Sequence, residues 1–479
     1  MSRLIIGPFN RVEGDLEVRL EIENGQVREA FVNASLFRDF EQLMAGRAAL
    51  DALAIAPRIC GICSIAQSAA AAAALANAAK LSMPPNGQAA LNLLQATENA
   101  ADHLVHFALF FMPDFARPDY EAKPWHEECR NRFMAGQGKM AALVATARRA
   151  LFETMGILAG KWPHSLALQP GGTTKPVDAA ERVRLKSIIA SFRRFLETHL
   201  FGLPLSHIAA LASQDALTTC DQGDFGLFLK ISRDLDLWRL GRSQTDLMSF
   251  GAFADPQTGE SLFAGGIWRN NAFAPLATQV ITEDIAHAWY GGEQALHPSQ
   301  GATIPNADKP DAYSWSKAPR LNGQSVEVGA LARQLLSGQP LIRDLHARHG
   351  STVAVRVVAR LIELARLALA MEGWAQALEP KAPFCHPFDL ERAVLQGAGL
   401  VEAARGSLGH WLEISEGRLS RYQVIAPTTW NFSPRDATGQ PGPLEAALVG
   451  TPVKAGESTP VAVQHVVRSF DPCMACTVH

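Results

Sequence analysis

Arg58-Ile59-Cys60-Gly61-Ile62-Cys63, near the start of the chain, and Asp471-Pro472-Cys473-Met474-Ala475-Cys476-Thr477-Val478-His479, at its end, each carry a Cys-x-x-Cys pair. A two-residue gap lets both sulfurs of a pair face one centre, and Gly61 permits the close backbone approach such a loop needs. Four thiolates make a soft, negatively charged site suited to zinc, nickel or iron. Structural zinc modules place their pairs within a few tens of residues, whereas about 410 residues separate Cys63 from Cys473. Ligands that far apart meet only inside a folded core, which points to a buried reactive centre. A four-cysteine structural zinc site, and two pairs that never meet, are the alternatives that spacing leaves open.

The rest of the composition narrows the class. With 479 residues, core burial is not limiting. Lys plus Arg number 44 against 47 Asp plus Glu, so there is no electrostatic case for nucleic acid or an anionic membrane. The count of seven cysteines is odd, which argues against a disulfide scaffold. Cys129, Cys220 and Cys385 have no partner at ligand spacing and read as structural thiols. The N-terminus lacks the apolar core of a secretory signal. Ile65–Ala79 carries Gln67, Ser68 and Asn77 and is too weakly apolar to span a bilayer. The reading is a cytoplasmic protein.

Leu16, Val18, Leu20 and Ile22 alternate with charged residues, Asn24-Gly25 marks a hairpin turn, and Val27–Val32 returns as the partner strand. Helices are predicted over Ala45–Leu53, Ile65–Ala79 (stopped by Pro84-Pro85), Leu91–Met112, Ala179–Leu200 and Thr352–Leu378. Gly251–Asn322 reads as an irregular layer with short strands, Leu419–Ala426 as a strand, and Glu445–His479 as helix or coil. The fold class is therefore mainly α, with a small N-terminal antiparallel sheet and an irregular β-containing layer. One intertwined body is expected over 1–479: a hairpin region over about 1–35, a helical core over about 45–250, the irregular layer over about 251–350, and helix, strand and the C-terminal metal motif over about 351–479.

The residues flanking the cysteines closely resemble the large subunit of nickel–iron hydrogenases. That family carries Arg-x-Cys-Gly-x-Cys near the N-terminus and Asp-Pro-Cys-x-x-Cys-x-x-His at the C-terminus. The resemblance extends through Arg11-Val12-Glu13-Gly14, Phe37-Arg38-Asp39-Phe40-Glu41, Pro170-Gly171-Gly172 and Pro427-Thr428-Thr429-Trp430-Asn431. It implies that Cys60 and Cys473 bind nickel terminally, while Cys63 and Cys476 bridge it to an iron carrying one carbon monoxide and two cyanides. Such a Ni-Fe(CN)2(CO) centre cleaves H2 heterolytically, with a terminal thiolate such as Cys473 as base. By the same resemblance Glu13 relays protons, Arg405 sits above the metals and donates to cyanide, and Thr428 donates to the other cyanide. Asp102 and Asp471 hold the arginine. Glu41, the Val424 carbonyl and His479 bind a magnesium ion. The family usually has proline before the arginine, where this chain has Ala404. Without the resemblance, Glu13 would read as a solvated charge paired with Arg11, and His103 and His106 as packed histidines.

Three departures point within the family. Gln67 stands where many members have histidine. The sequence stops at His479, whereas most catalytic members carry an extension that is removed after the terminal histidine. Ile62 and Phe110 are bulky where many members have valine and leucine, which implies a narrowed gas channel. Together they resemble the regulatory, hydrogen-sensing, oxygen-tolerant branch, which has low turnover and reports to a histidine kinase. A respiratory uptake hydrogenase in its processed form is the alternative. The quinone-side subunit of respiratory complex I shares the ancestry but lacks the metal cysteines. No cysteine set remains for an iron–sulfur cluster, so those clusters are expected on a small partner subunit, in a heterodimer or a dimer of heterodimers.

Overall fold

The computed structural model describes residues 2–388, 390 and 394–479. Its N-terminal sheet runs β1 (Ser2–Ile6), β2 (Leu16–Glu23) and β3 (Gln26–Ala34), all antiparallel. Leu16, Val18 and Leu20 are buried, as the alternation requires. Asn24 and Gly25 both adopt positive φ, the conformation of a tight hairpin turn. The β1–β2 connection carries Glu13 across to the C-terminus, where it bridges to Cys473.

The helix expected over Ala45–Leu53 is not formed. Two short helices, Phe40–Met44 and Asp51–Ile55, flank a break at Gly46, whose φ is 77°. Tertiary pairing explains the break: Gly46 N–H donates to the Leu419 carbonyl and Ala49 N–H to that of Gly417.

Helix α1 (Ser64–Ala79) matches its prediction, but it ends on Lys80 in the left-handed conformation rather than at the prolines. Pro84 and Pro85 instead open α2 (Pro85–Val105), where a proline at the first turn costs no hydrogen bond. The predicted continuation to Met112 changes pitch, to a π turn over His106–Phe111 and a 3-10 turn from Met112. Helix α3 (Ala179–Phe195) opens on a capping box formed by Asp178 and Glu181. Helix α4 (Val353–Ala377) is buried along most of its length and packs on both α2 and α3.

One sheet was foreseen only in part. Strands β4 (Val394–Ala403), β5 (Gly406–Ser415) and β6 (Arg418–Ile425) form an antiparallel meander, of which sequence pattern showed β6 alone. Gly397 and Gly399 obscure β4, and packing requires them. A Cβ on Gly397 would lie 2.1 Å from the Ala74 carbonyl oxygen, and one on Gly399 1.9 Å from that of Ala70. The alanine helix α1 and the glycine strand β4 thus meet backbone to backbone. That contact brings Cys63, at the head of α1, near Arg405, at the tip of the β4–β5 turn.

The stretch Gly251–Asn322 is a layer of short strands, as predicted, including Gly266–Arg269 and Ala318–Leu321. The C-terminal stretch forms short helices over Pro443–Leu448, Val461–Ser469 and Met474–Thr477. The fold class is the predicted one, mainly helical with several small sheets. Among the described residues no helix is long and apolar enough to cross a membrane.

Candidate metal centre

Cys60 follows the 3-10 turn Ala56–Arg58, and Cys63 is the N-cap of α1. Cys473 precedes the last helix and Cys476 lies within it. Backbone pairing fixes the second loop: Glu13 N–H donates to the Pro472 carbonyl (3.3 Å) and Met474 N–H to that of Glu13 (2.6 Å). Arg38 ties the two loops together, donating to the carbonyls of Ile59 (2.5 Å), Arg58 (3.2 Å) and Ala475 (3.1 Å). Gly61 does not have the role expected of it, because a Cβ there would meet only Pro163 Cγ, at 3.9 Å.

The four sulfurs converge. Cys60 and Cys473 Sγ are 3.5 Å apart, Cys63 and Cys476 3.1 Å, and Cys473 and Cys476 3.1 Å; all four lie within 4.8 Å of one another and are buried. Metal–sulfur bonds of about 2.3 Å place tetrahedral sulfurs roughly 3.8 Å apart, so the spread suits a thiolate metal centre. Electrostatics agrees. Hydrogen bonds from its neighbours hold the Cys60 thiol well below the ordinary range, while the same crowd pushes Cys63 and Cys476 well above it. All four ionise together only around a cation.

Arg405 sits in the two-residue turn between β4 and β5. Its guanidinium donates to Asp102 Oδ2 (3.0 Å), Asp471 Oδ1 (3.2 Å) and the Asp471 carbonyl (3.1 Å), and all three residues are buried. Thr428 Oγ1 accepts the Cys473 N–H at 3.1 Å, which leaves its own proton free to donate. A cavity of about 640 Å³ reaches this point, lined by Glu13, Ile62, Asp102, Phe110, Arg148 and Arg405 among others. Burial raises the Glu13 pKa, against the pull of Arg405. Arg11 is not its partner; it pairs with Asp114.

Glu41, Val424 and His479 also meet. Glu41 Oε1 accepts the Val424 N–H (2.8 Å) and lies 3.3 Å from His479 Nε2, whose Nδ1 faces the Cys476 carbonyl at 2.7 Å. Val424 thus joins this cluster through its N–H. Lys317, Glu283 and Gln423 complete the cluster and were missed in sequence: Lys317 Nζ lies 3.3 Å from Glu41, 3.4 Å from Glu283 and 2.8 Å from Gln423. They sit in the irregular layer and in β6 without a motif of their own. Burial would raise the Glu41 pKa, but Lys317, His479 and Thr303 outweigh it and bring it to about 2. Glu283 Oε1 is buried without a hydrogen-bond partner, so the donor set has an oxygen left for a hard cation.

His103 faces Glu363 (3.0 Å) and His106 the Arg468 carbonyl (2.6 Å); burial lowers both pKa values. Gln67 Oε1 faces His410 Nε2 at 2.8 Å. Cys129 and Cys220 are buried and Cys385 half-buried, and burial raises each thiol.

The family described as nickel-dependent hydrogenase matches residues 38–122 and 120–479. The chain belongs to that family. The hydrogenase chain is 29% identical over 511 residues to the periplasmic NiFeSe hydrogenase large subunit of Desulfomicrobium baculatum, covering 100% of this chain and 95% of that one. It is 28% identical over 575 residues to the hydrogenase-2 large chain of Escherichia coli K12, at 100% and 97% coverage. An uptake hydrogenase large subunit of Rhizobium leguminosarum is 26% identical over 576 residues, at 100% and 95% coverage. Among solved structures, the reduced NiFeSe hydrogenase of D. vulgaris Hildenborough superimposes with a TM-score of 0.86 at 28% identity, covering 100% of both chains.

Proposed function

We propose that the chain is the hydrogen-cleaving subunit of a respiratory or uptake nickel–iron hydrogenase. The observation that carries this is the convergence of four buried cysteines beside Arg405, at a cavity that also holds Glu13. Cys60 and Cys473 would hold nickel terminally, and Cys63 and Cys476 would bridge nickel and iron. A Ni-Fe(CN)2(CO) centre, when bound there, supplies the Lewis acid that polarises dihydrogen.

The chain supplies the rest. Cys473 Sγ would be the base beside the centre, and the half-buried Glu13 carboxyl, whose pKa burial raises, would pass the proton on into the cavity. Arg405, oriented by Asp102 and Asp471, and the Thr428 hydroxyl supply donors for the two cyanides. Ile62 and Phe110 shape the approach of gas. Glu41, His479 and Val424 would hold magnesium, with Glu283 and Lys317 adjusting its charge.

Electrons would leave through iron–sulfur clusters on a small subunit, because among the described residues the four-cysteine cluster is the only one built of sulfur ligands. The names of the relatives, a periplasmic and an uptake hydrogenase among them, support the respiratory reading. The regulatory sensor is the second reading, favoured by Ile62 and Phe110, which both line the cavity. A histidine kinase partner, low turnover, oxygen tolerance and a cytoplasmic location go with that reading; a periplasmic location goes with the first.

Infrared absorption of the chain with its small subunit tests both. One carbonyl and two cyanide bands that shift reversibly under hydrogen are expected. Conversion to an inactive oxidised form in air supports the uptake enzyme, and a hydrogen response that survives air supports the sensor. No bands, in protein from a host with the maturation machinery, would overturn the hydrogenase reading.

A further inference from the structure

Helices are usually opened by Ser, Thr, Asp or Asn, whose side chain accepts one of the free N–H groups of the first turn. Helix α1 opens on Cys63, whose side chain makes no such bond. Its sulfur faces Cys476 at 3.1 Å, so the residue at the capping position is committed elsewhere.

Two of the free donors of α1 go to Glu98. Its Oε2 accepts the Ile65 N–H (2.8 Å) and its Oε1 the Ala66 N–H (2.9 Å). Trp162 Nε1 adds a third donor to Oε2 at 3.0 Å. Glu98 is only 1% exposed and comes from the interior of α2, a different helix. With three N–H groups aimed at it, the Glu98 carboxyl is placed as an acceptor at the positive end of a 16-residue helix.

The placement ties this contact to the metal site. Glu98 and Asp102 stand four residues apart, on one face of α2. Asp102 holds Arg405, and Glu98 holds the backbone that follows Cys63. Trp162 lines the same cavity as Glu13 and Arg405, so the cavity wall shares the anchor.

We propose that Glu98 is a positioning residue for Cys63, an external cap that frees the cysteine sulfur to serve the metal centre. The inference rests on the metal-centre reading above. It does not make Glu98 a proton carrier.

The test uses the complex with its small subunit. Glu98→Leu removes both acceptor oxygens at similar volume, and Glu98→Gln keeps one. Glu98→Leu is expected to lower nickel per chain by at least half and to shift the carbonyl band of the metal that remains. Glu98→Gln is expected to restore the nickel content. Amide hydrogen exchange over residues 64–67 should nonetheless be about tenfold faster in Glu98→Gln, because one N–H loses its partner. Should Glu98→Leu fail to fold, the exchange and carbonyl band of Glu98→Gln decide the matter. Wild-type exchange over 64–67 with an unshifted band, or full nickel in a folded Glu98→Leu, would overturn the proposal. Absence of nickel from the wild type would overturn the metal-centre reading instead, and exchange in the metal-free chain would still report on the Glu98 contacts.

Discussion

Cys63 and Cys476 hold their sulfurs 3.1 Å apart although 413 residues separate them in sequence. Neither motif can form the site alone. The first loop is set by α1 and by Arg38, the second by the Glu13 bridge, so the centre exists only when both ends of the chain are folded.

Cys63→Ser is accordingly expected to abolish metal loading rather than weaken it. Serine does not ionise at neutral pH and is a hard, poor ligand for nickel. Nickel per chain should fall at least tenfold while the circular dichroism spectrum keeps its helical shape. Retention of nickel at the wild-type level would remove Cys63 from the ligand set.

Glu13→Gln separates proton transfer from assembly. Gln keeps the backbone pairing to Pro472 and Met474, so nickel and iron contents should match wild type. Hydrogen–deuterium exchange catalysed by the complex should slow by about 10²-fold or more, the usual contribution of a positioned acid–base group. Unchanged exchange would mean that protons leave by another route.

Much of this site was legible because its ligands sit in short, rigid motifs. Cys60, Cys63, Cys473 and Cys476 could be paired from spacing and flanking residues. Arg405 had only the resemblance to speak for it, since the strands on either side of it were hidden by Gly397, Gly399, Gly406 and Gly409. Lys317 and Glu283 carry no motif at all. They are assembled by the pairing of Ala318–Leu321 with Ile281–Asp284, which no local pattern announces. Gly46 shows the opposite failure: local helical pattern over Ala45–Leu53 yielded to backbone pairing with Leu419.

Gly399 offers a test of how the α1–β4 contact holds the site. A methyl group there would lie 1.9 Å from the Ala70 carbonyl oxygen, and only backbone movement relieves it. Gly399→Ala is expected to destabilise the complex by about 1–3 kcal/mol and to lower nickel loading through the shifted head of α1. Gly373, inside α4, has nothing within 4 Å of such a methyl. Gly373→Ala should leave stability unchanged or raise it by about 0.5–1 kcal/mol. Thermal unfolding of the two variants beside wild type makes the comparison, and equal midpoints would mean that the glycine strand is not needed for packing.

Glu445 gives a pH dependence remote from the cysteines. It is 1% exposed; its Oε1 accepts the Val32 N–H and the Tyr313 hydroxyl, both at 2.9 Å, while Oε2 has no hydrogen-bond partner. Burial pushes its pKa from 4.5 up to about 7, against those bonds and Arg435. A carboxyl with a raised folded pKa binds its proton more tightly folded than unfolded. Its contribution to stability is therefore full below about pH 4.5 and is lost as pH rises toward about 7. Gln can keep the Oε1 bonds and carries no titrating proton. Wild type should thus lose roughly 3 kcal/mol relative to Glu445→Gln between about pH 4.5 and about pH 8, with no further loss above. Urea unfolding across that range reads the difference. A difference that stays flat with pH would show that Glu445 titrates alike in the folded and unfolded chain, and that the N-terminal sheet meets the Pro443–Leu448 helix without a strained carboxylate between them.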